Sequence, residues 1–447
     1  MSDAKSHNVE RDMLATLGPP GFAHKFLVVG LGLVVAWALV AYIHQLRIGL
    51  AATAMNDYFS WGVYIVNFVF FIGISMAGSL ISAVLRLSNA HWRHPISRLA
   101  EAITVFSLLV AGPMIIIDMG RPDRILHVIR YGRLQSPILW DILSLTSYLA
   151  GSFLYLYVPM IPDLAILRDA SGLSRWRKKL YGALAMRWTG TADQHRNLDR
   201  AVSVMAIVIL PVAVSIHTVT AWLFGMTLRP GWHSTIIGPD FVIGALYSGV
   251  AAVITAIVLF RYFLRLEAYI PVDHLRKLAR LMFVFGLVYA YFVINEHVGT
   301  AYTGEGAERP LLEKMITGHY AMLFWAMIVV GLALPVLMLV SPLGRTIAGI
   351  SVAAILVNVG MWLKRYIIVV PTLASPFMPV RQGANLAYIP TWVEWSITAG
   401  GFAAFLLMFI LFSKVFPIIS IWEVDQTKWP RSAEVPVIPN AARGALA

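Results

Sequence analysis

The chain has 447 residues, 59% of them hydrophobic and only 13% charged, and its 35 Lys and Arg outnumber 23 Asp and Glu for a formal net charge of +12. Soluble domains carry about 25% charged and about 45–50% apolar residues, which excludes an ordinary soluble protein. No segment is both basic and soluble in character, so the positive surplus points to cytoplasmic loops and not to a nucleic-acid partner. There is no cysteine, which excludes disulfides, thiolate nucleophiles and iron–sulfur clusters held by this chain's own thiolates.

Residues 1–24 mix acids and bases without a short apolar core ahead of a small-residue cleavage site, so we expect no removable signal peptide and assign a cytoplasmic N-terminal segment. A spanning helix needs about 20 predominantly apolar residues. Ten runs meet that measure: 25–45, 61–87, 99–117, 138–160, 200–224, 240–263, 280–298, 318–340, 346–369 and 395–416. The expected fold class is therefore an all-α integral membrane protein of about ten transmembrane helices. Lys364 and Arg365 interrupt the ninth run. The segment from Arg168 to Arg200 reads as an amphipathic, lipid-facing connection. The part after Pro417 (418–447), rich in Pro and Ala, reads as a mobile cytoplasmic tail.

With the N-terminus inside, 24 of the 35 Lys and Arg fall on the cytoplasmic side, which predicts both termini cytoplasmic. The exception is the outer loop after the third helix, with Arg121, Arg124, Arg130 and Arg133. Interfacial snorkelling accounts for Arg130 and Arg133. Arg121 differs, because it follows Asp118 by three residues in a Gly-Arg-Pro turn.

Under that topology several ionisable residues share the outer level. Asp118 ends helix three, Asp141 opens helix four, His217 lies about two turns before the end of helix five, Glu296 and His297 close helix seven, and His44 ends helix one. Charge at the bilayer centre costs at least about 2.5–3.5 kcal/mol per residue, so such groups face cavities or partners. Each acid taken alone is accounted for by a helix cap or an arginine pair; both acids beside Arg121 and His217 outline a pocket. Its chemistry suits a quinol, whose two hydroxyls each lose a proton as electrons leave. A carboxylate in a poorly hydrated pocket binds a proton readily, and a histidine serves the second oxygen. Trp140 and Tyr64 are the aromatic candidates. A second polar set comprises Glu101, one turn inside helix three on the cytoplasmic side, with Lys364 and Arg365 in helix nine. These, with Glu296 and His297, are candidates for a proton path, against the alternative of a plain Arg98–Glu101 pair at i,i+3. No metal ligand set is expected.

The blocks "WGVYIVNFVFFIGISMAGSLISAVLRL", "RLAEAITVFSLLVAGPMIIIDMGRPDR", "SPILWDILSLTSYL" and "YVPMIPDLA" resemble the NrfD/PsrC polysulfide-reductase-type membrane subunits. "ILPVAVSIHTVTAWLFG", "RPGWHSTIIGPDFVIGALYSGVAAVI" and "NVGMWLKRYIIVVPTLASPFMP" are most similar to the ActC-type subunit of alternative complex III. The resemblance, over about residues 40–425, implies two four-helix bundles, about 61–224 and about 240–369, plus flanking helices within a membrane domain 25–417. It implies a menaquinol or ubiquinol site near the outer face and no haem or metal on this chain. The implied partners are a peripheral iron–sulfur or molybdopterin-like subunit, a multihaem cytochrome c and a second NrfD-like membrane subunit, in the bacterial inner membrane amid its lipids. The family's protonatable pair falls on Asp118 and Asp141. The sequence departs from the ActC pattern at Asp118, where relatives show histidine, and at Lys364, where they show glutamate.

The resulting expectation is a quinone-reactive subunit of a multisubunit oxidoreductase, either alternative complex III-like or the anchor of a polysulfide-reductase-type molybdoenzyme, with proton translocation as a further capacity. A secondary transporter would place its polar cluster near the bilayer midplane, and here the cluster is off-centre. A dihaem cytochrome b would need histidine pairs at two depths, and His44, His217 and His297 share one.

Overall fold

The computed structural model describes residues 9–424 except Leu228, Ala307, Pro379 and residues 381–385. Ten helices are long and apolar enough to cross a membrane: α1 Phe22–Ile48, α2 Val63–Leu87, α3 Ser97–Asp118, α4 Pro137–Asp169, α5 Ala192–Gly225, α6 Ile237–Phe263, α7 Val272–Thr303, α8 Ala321–Val340, α9 Ile347–Leu373 and α10 Trp392–Val415. All ten predicted spans are present, and no strand occurs among the described residues. The protein is a multi-pass, all-α membrane protein.

Local chemistry sets the ends. Thr191 and Thr391 each form a capping box, with Gln194 and Glu394 at the third helical position, so α5 starts eight residues before the apolar run and α10 has a fixed entry. Pro159 and Pro162 turn α4 through a short 3-10 segment, Val158–Met160, before it resumes. In α8 a π-turn, Val329–Ala333, precedes Pro335, whose missing N–H disrupts the regular bonding pattern. Gly331 in that turn meets Gly360 of α9 backbone to backbone; a Cβ on either would strike the other. Helix α9 runs unbroken through Lys364 and Arg365 because both side chains are buried against compensating groups.

Helix α2 is the hub. It packs on α3, α5 and α6, and α4 closes the first group against α3 and α5. Helices α6, α7, α8 and α9 pack as a second group. Helix α1 packs on α10 and leaves most of its apolar surface, Trp37 included, exposed as lipid-facing helices do. Successive helices alternate in direction, so one end of the molecule gathers the C-termini of α3, α5, α7 and α9 with the N-termini of α2, α4, α6 and α10. This is the Asp118 end.

The opposite end is held by a buried ionic network. Arg98 pairs with Asp163 at 2.5 Å and donates to the carbonyls of Pro417 and Ile419. Asp163 also accepts the N–H groups of Ile421 and Trp422. Glu423 meets Arg93 at 3.2 Å, Arg86 at 3.4 Å and His94 at 3.5 Å. Burial alone would raise its carboxyl, but His94, Arg93 and Arg86 hold it down at about 2. Two expectations change here. Arg98 is committed to Asp163 and not to Glu101, and residues 418–424 are docked, not mobile, because their backbone and Glu423 complete this network. The rest of the expected tail, 425–447, and residues 1–8 lie outside the described residues. The amphipathic connection contains a helix, Arg175–Leu184, with Trp176 exposed and Tyr181 buried, its hydroxyl on the Val415 carbonyl.

Candidate functional site

Asp118 is the last residue of α3, where the carboxyl is carried just inside the end of an apolar bundle. It is buried, the Gly62 main-chain N–H engages it, and Oδ1 has no hydrogen-bond partner among the described residues. Around it stands a shell of fully enclosed polar groups. The Tyr64 hydroxyl donates to Gln45 Oε1 at 2.7 Å, and Gln45 Nε2 donates to the Ile117 carbonyl at 3.0 Å. Glu394 accepts from the Tyr388 hydroxyl and from the N–H groups of Ala54 and Thr391, both at 2.9 Å. The Tyr388 oxygen in turn accepts the Val63 N–H at 2.8 Å. Burial and then the Glu394 carboxylate push the Tyr388 phenol well above its ordinary value, so it stays a donor. Gly62 has no room for a side chain, since a Cβ would strike the Tyr388 hydroxyl. Gln45, Tyr64, Tyr388 and Glu394 are thus committed, and Asp118 Oδ1 is left without a partner among the described residues. An unpartnered buried acceptor is costly, about 1–3 kcal/mol, unless a ligand or a proton completes it.

Asp141 and His217 form a second station in the same helix group. Asp141, one turn into α4, accepts from the Thr220 hydroxyl of α5 at 2.6 Å. His217, one turn earlier on α5, places Nδ1 2.7 Å from the Ala213 carbonyl and Nε2 3.0 Å from the Ile72 carbonyl of α2. A neutral ring can donate to only one of these, so its tautomer decides which carbonyl it satisfies.

From Ile72 a run of buried hydroxyls descends along α2. Ser75 donates to the Ile72 carbonyl; Tyr148 and Thr104 both donate to the Ser75 carbonyl; Ser79 donates to Thr104. Ser82 donates to Glu101 Oε1 at 2.6 Å, with the Tyr155 hydroxyl 3.3 Å from Ser82. Ser82 and Glu101 lie below this run as a separate pair, and among the described residues no hydrogen bond joins Ser79 or Thr104 to Ser82.

The second helix group has its own buried charges. Lys364 Nζ donates to Glu296 Oε2 at 2.6 Å, and Asp240 interacts with Lys364, Glu296 and Arg365. Arg365 lies over the Phe241 ring at 4.9 Å, close to Gly244 of α6 and Gly73 of α2, so its guanidinium occupies the seam between the two groups. Asp240 Oδ1, Arg365 Nη1 and the Tyr289 hydroxyl have no hydrogen-bond partner among the described residues. A cavity of about 540 Å³ opens beside this cluster and is lined by Glu296, His297, Lys364, His233, Glu305 and Glu308 among others.

A family model described as "Polysulphide reductase, NrfD" matches residues 51–376. The chain belongs to the NrfD family. Among NrfD relatives, a protein from Halobacterium salinarum, provisionally named as a membrane subunit of dimethyl sulfoxide reductase, is 31% identical over 340 residues, covering 75% of this chain and 72% of that one. A selenate reductase subunit of Mesobacillus selenatarsenatis is 26% identical over 405 residues, 88% of this chain and 94% of its own length. The Hdr-like menaquinol oxidoreductase integral membrane subunit of Archaeoglobus fulgidus is 22% identical over 419 residues, 90% and 95% of the two chains.

Within this NrfD chain the residues singled out from sequence are distributed unevenly. Asp118 and Tyr64 share one shell, and Asp141 and His217 share another, both at the Asp118 end. Trp140 is half-buried, its indole N–H on the Leu134 carbonyl. Arg121 is exposed and forks onto Asp123 at 2.9 and 3.0 Å. It serves a surface pair and is no part of the Asp118 shell. Arg124, Arg130 and Arg133 are exposed too. Glu296, Lys364 and Arg365 belong to the second group, and His297 Nδ1 caps back onto the Val293 carbonyl at 2.7 Å. His44 lies tilted against Trp392, ring centroids 5.4 Å apart. Sequence reasoning missed Gln45, Asp240, Tyr388 and Glu394. Glu394 carries a signal that conceals its role, since Thr-x-x-Glu announces a helix cap and the same carboxylate also closes the Asp118 shell.

Proposed function

We propose that this NrfD protein is the quinone-reactive membrane subunit of a multisubunit oxidoreductase, and that Asp118 is the first acceptor of a hydroquinone proton. The observation that carries this reading is the single free oxygen of a buried carboxyl, surrounded by donors that are already committed. Oxidation of a hydroquinone releases two protons and two electrons. Asp118 accepts one proton, and Asp141, held by the Thr220 hydroxyl one turn from His217, is placed to take the second. The electrons leave to an iron–sulfur partner, since this chain has no cysteine to hold a cluster. The exposed arginines 121, 124, 130 and 133 beside both acids provide a docking edge for that partner on the outer face.

Proton translocation would run along the α2 hydroxyls between His217 and Glu101, with water bridging Ser79 to Ser82 and bypassing the Ile72 and Ser75 carbonyls, which only accept. The name of the Archaeoglobus relative supports menaquinol as donor. The names of the Halobacterium and Mesobacillus relatives support a terminal reductase as the destination of the electrons, and the ActC-like blocks support an alternative complex III-type assembly. In both readings this chain would oxidise a quinol.

The test is Asp141→Asn in the assembled complex. Quinol turnover is expected to fall about tenfold or more, less than the roughly 10²–10⁴-fold of a primary base because Asp141 takes the second proton, with every partner protein still bound. Near-normal turnover would remove Asp141 from any proton-accepting role.

A further inference from the structure

We propose that His233, Glu305 and Glu308 form a divalent-cation site of zinc type at the mouth of the second helix group's cavity. The three come from separate places in the chain: His233 from the loop before α6, Glu305 just past the end of α7, and Glu308 at the start of the short helix Glu308–Ile316. One ligand atom of each lies within 4.8 Å of the other two.

The histidine decides the reading. Its Nδ1 is 3.2 Å from the Arg229 carbonyl, which can only accept, so Nδ1 carries the proton. In a neutral ring Nε2 then presents a lone pair, and that lone pair faces Glu308 Oε1 at 3.3 Å and Glu305 Oε2 at 3.6 Å. Three electron-rich atoms converge with no proton between them. Either the ring is an imidazolium or a cation sits at the centre. A tetrahedral site with metal–ligand distances of about 2.0–2.1 Å has ligand–ligand edges of about 3.3–3.4 Å; the 3.3 Å separation to Glu308 matches, and the 3.6 Å separation to Glu305 is slightly wider.

The surroundings are those of a supported ligand set. A ligating histidine ordinarily donates its other N–H to a carbonyl or carboxylate, as His233 does to Arg229. Glu308 is buried, and its Oε1 is aimed by the Gly231 N–H at 3.2 Å. Gly231 holds φ +79°, a conformation side chains rarely adopt, so the loop is shaped to present that N–H beside the histidine. Glu296 is not available to the site because Lys364 engages it. Three protein ligands leave a fourth position open to the cavity, and all three residues line it together with Glu296 and Lys364. A cation bound there stands between solvent and the Glu296–Lys364 pair.

The full-length protein, chelator-treated in detergent, is titrated with Co²⁺ and then Zn²⁺. One equivalent of Co²⁺ is expected to give visible absorption of a four-coordinate ion, to be displaced by Zn²⁺, and to bind more tightly at pH 8 than at pH 6, because the ligands must be deprotonated. His233→Ala and Glu305→Gln, both at exposed positions, should each weaken binding about tenfold or more without shifting the melting temperature. Binding by the wild type no stronger than by His233→Ala, or affinity that does not rise with pH, would show the three residues to be an ion pair only and overturn the proposal. The outcome is independent of quinol turnover.

Discussion

Replacing Asp118 by Asn is expected to lower quinol turnover by about 100-fold or more while leaving the complex assembled, because a positioned base contributes about 10²–10⁴-fold. The substitution keeps the shape of the side chain and removes its ability to hold the transferred proton. The shell around it does not rearrange to compensate: Tyr64 is tied to Gln45, Tyr388 to Glu394, and Glu394 to two main-chain N–H groups besides. Glu394 is the nearest other carboxyl, but all its bonds are structural, so it is not a substitute base. Turnover and apparent affinity should separate, kcat falling far more than KM rises. A variant with wild-type kcat would show that the free Oδ1 is only a packing defect.

Lys364→Met is expected to destabilise the membrane domain by roughly 3 kcal/mol, the lower end of the cost of leaving a buried charge without its partner. Lys364 is fully buried and donates to Glu296 at 2.6 Å, and Asp240 depends on the same cation. Glu296 faces the cavity and keeps some contact with solvent, which is why the low end applies. Thermal inactivation in detergent reads the effect. The double variant Lys364→Met with Glu296→Gln should recover most of the loss, because it removes the stranded charge along with its partner. If the double variant is as unstable as the single one, Lys364 acts through packing and not through the ion pair.

The ten helices were legible because each is a run of about 20 apolar residues, and the bilayer imposes that length on any sequence that crosses it. Asp118, Asp141 and His217 were legible as polar residues at the ends of such runs. Their neighbours were not, and the reason is tertiary. Arg98 stands three residues from Glu101, and sequence spacing alone suggests a pair; the fold instead brings Asp163 and the carbonyls of Pro417 and Ile419 to it. Arg121 stands three residues from Asp118 and turns out to bind Asp123, since the helix ends between them and the chain enters a surface turn. Asp240 sits beside a proline in a loop-like stretch, so nothing local distinguishes it from a helix-start residue. The buried hydroxyls between Ile72 and Glu101 belong to serine, threonine and tyrosine, residue types that in an apolar helix ordinarily bond to their own backbone, so their contacts between α2, α3 and α4 were not legible.

In the proposed function the quinol head meets Asp118, and the competing place for it is the cavity beside Glu296. Photolabelling the intact complex with an azidoquinone tests this directly. Labelled peptides are expected around Asp118, Tyr64 and Tyr388, with labelling suppressed by excess quinol. Labelling confined to the cavity-lining stretch from Asn295 to Leu312, equally suppressed by quinol, would contradict it.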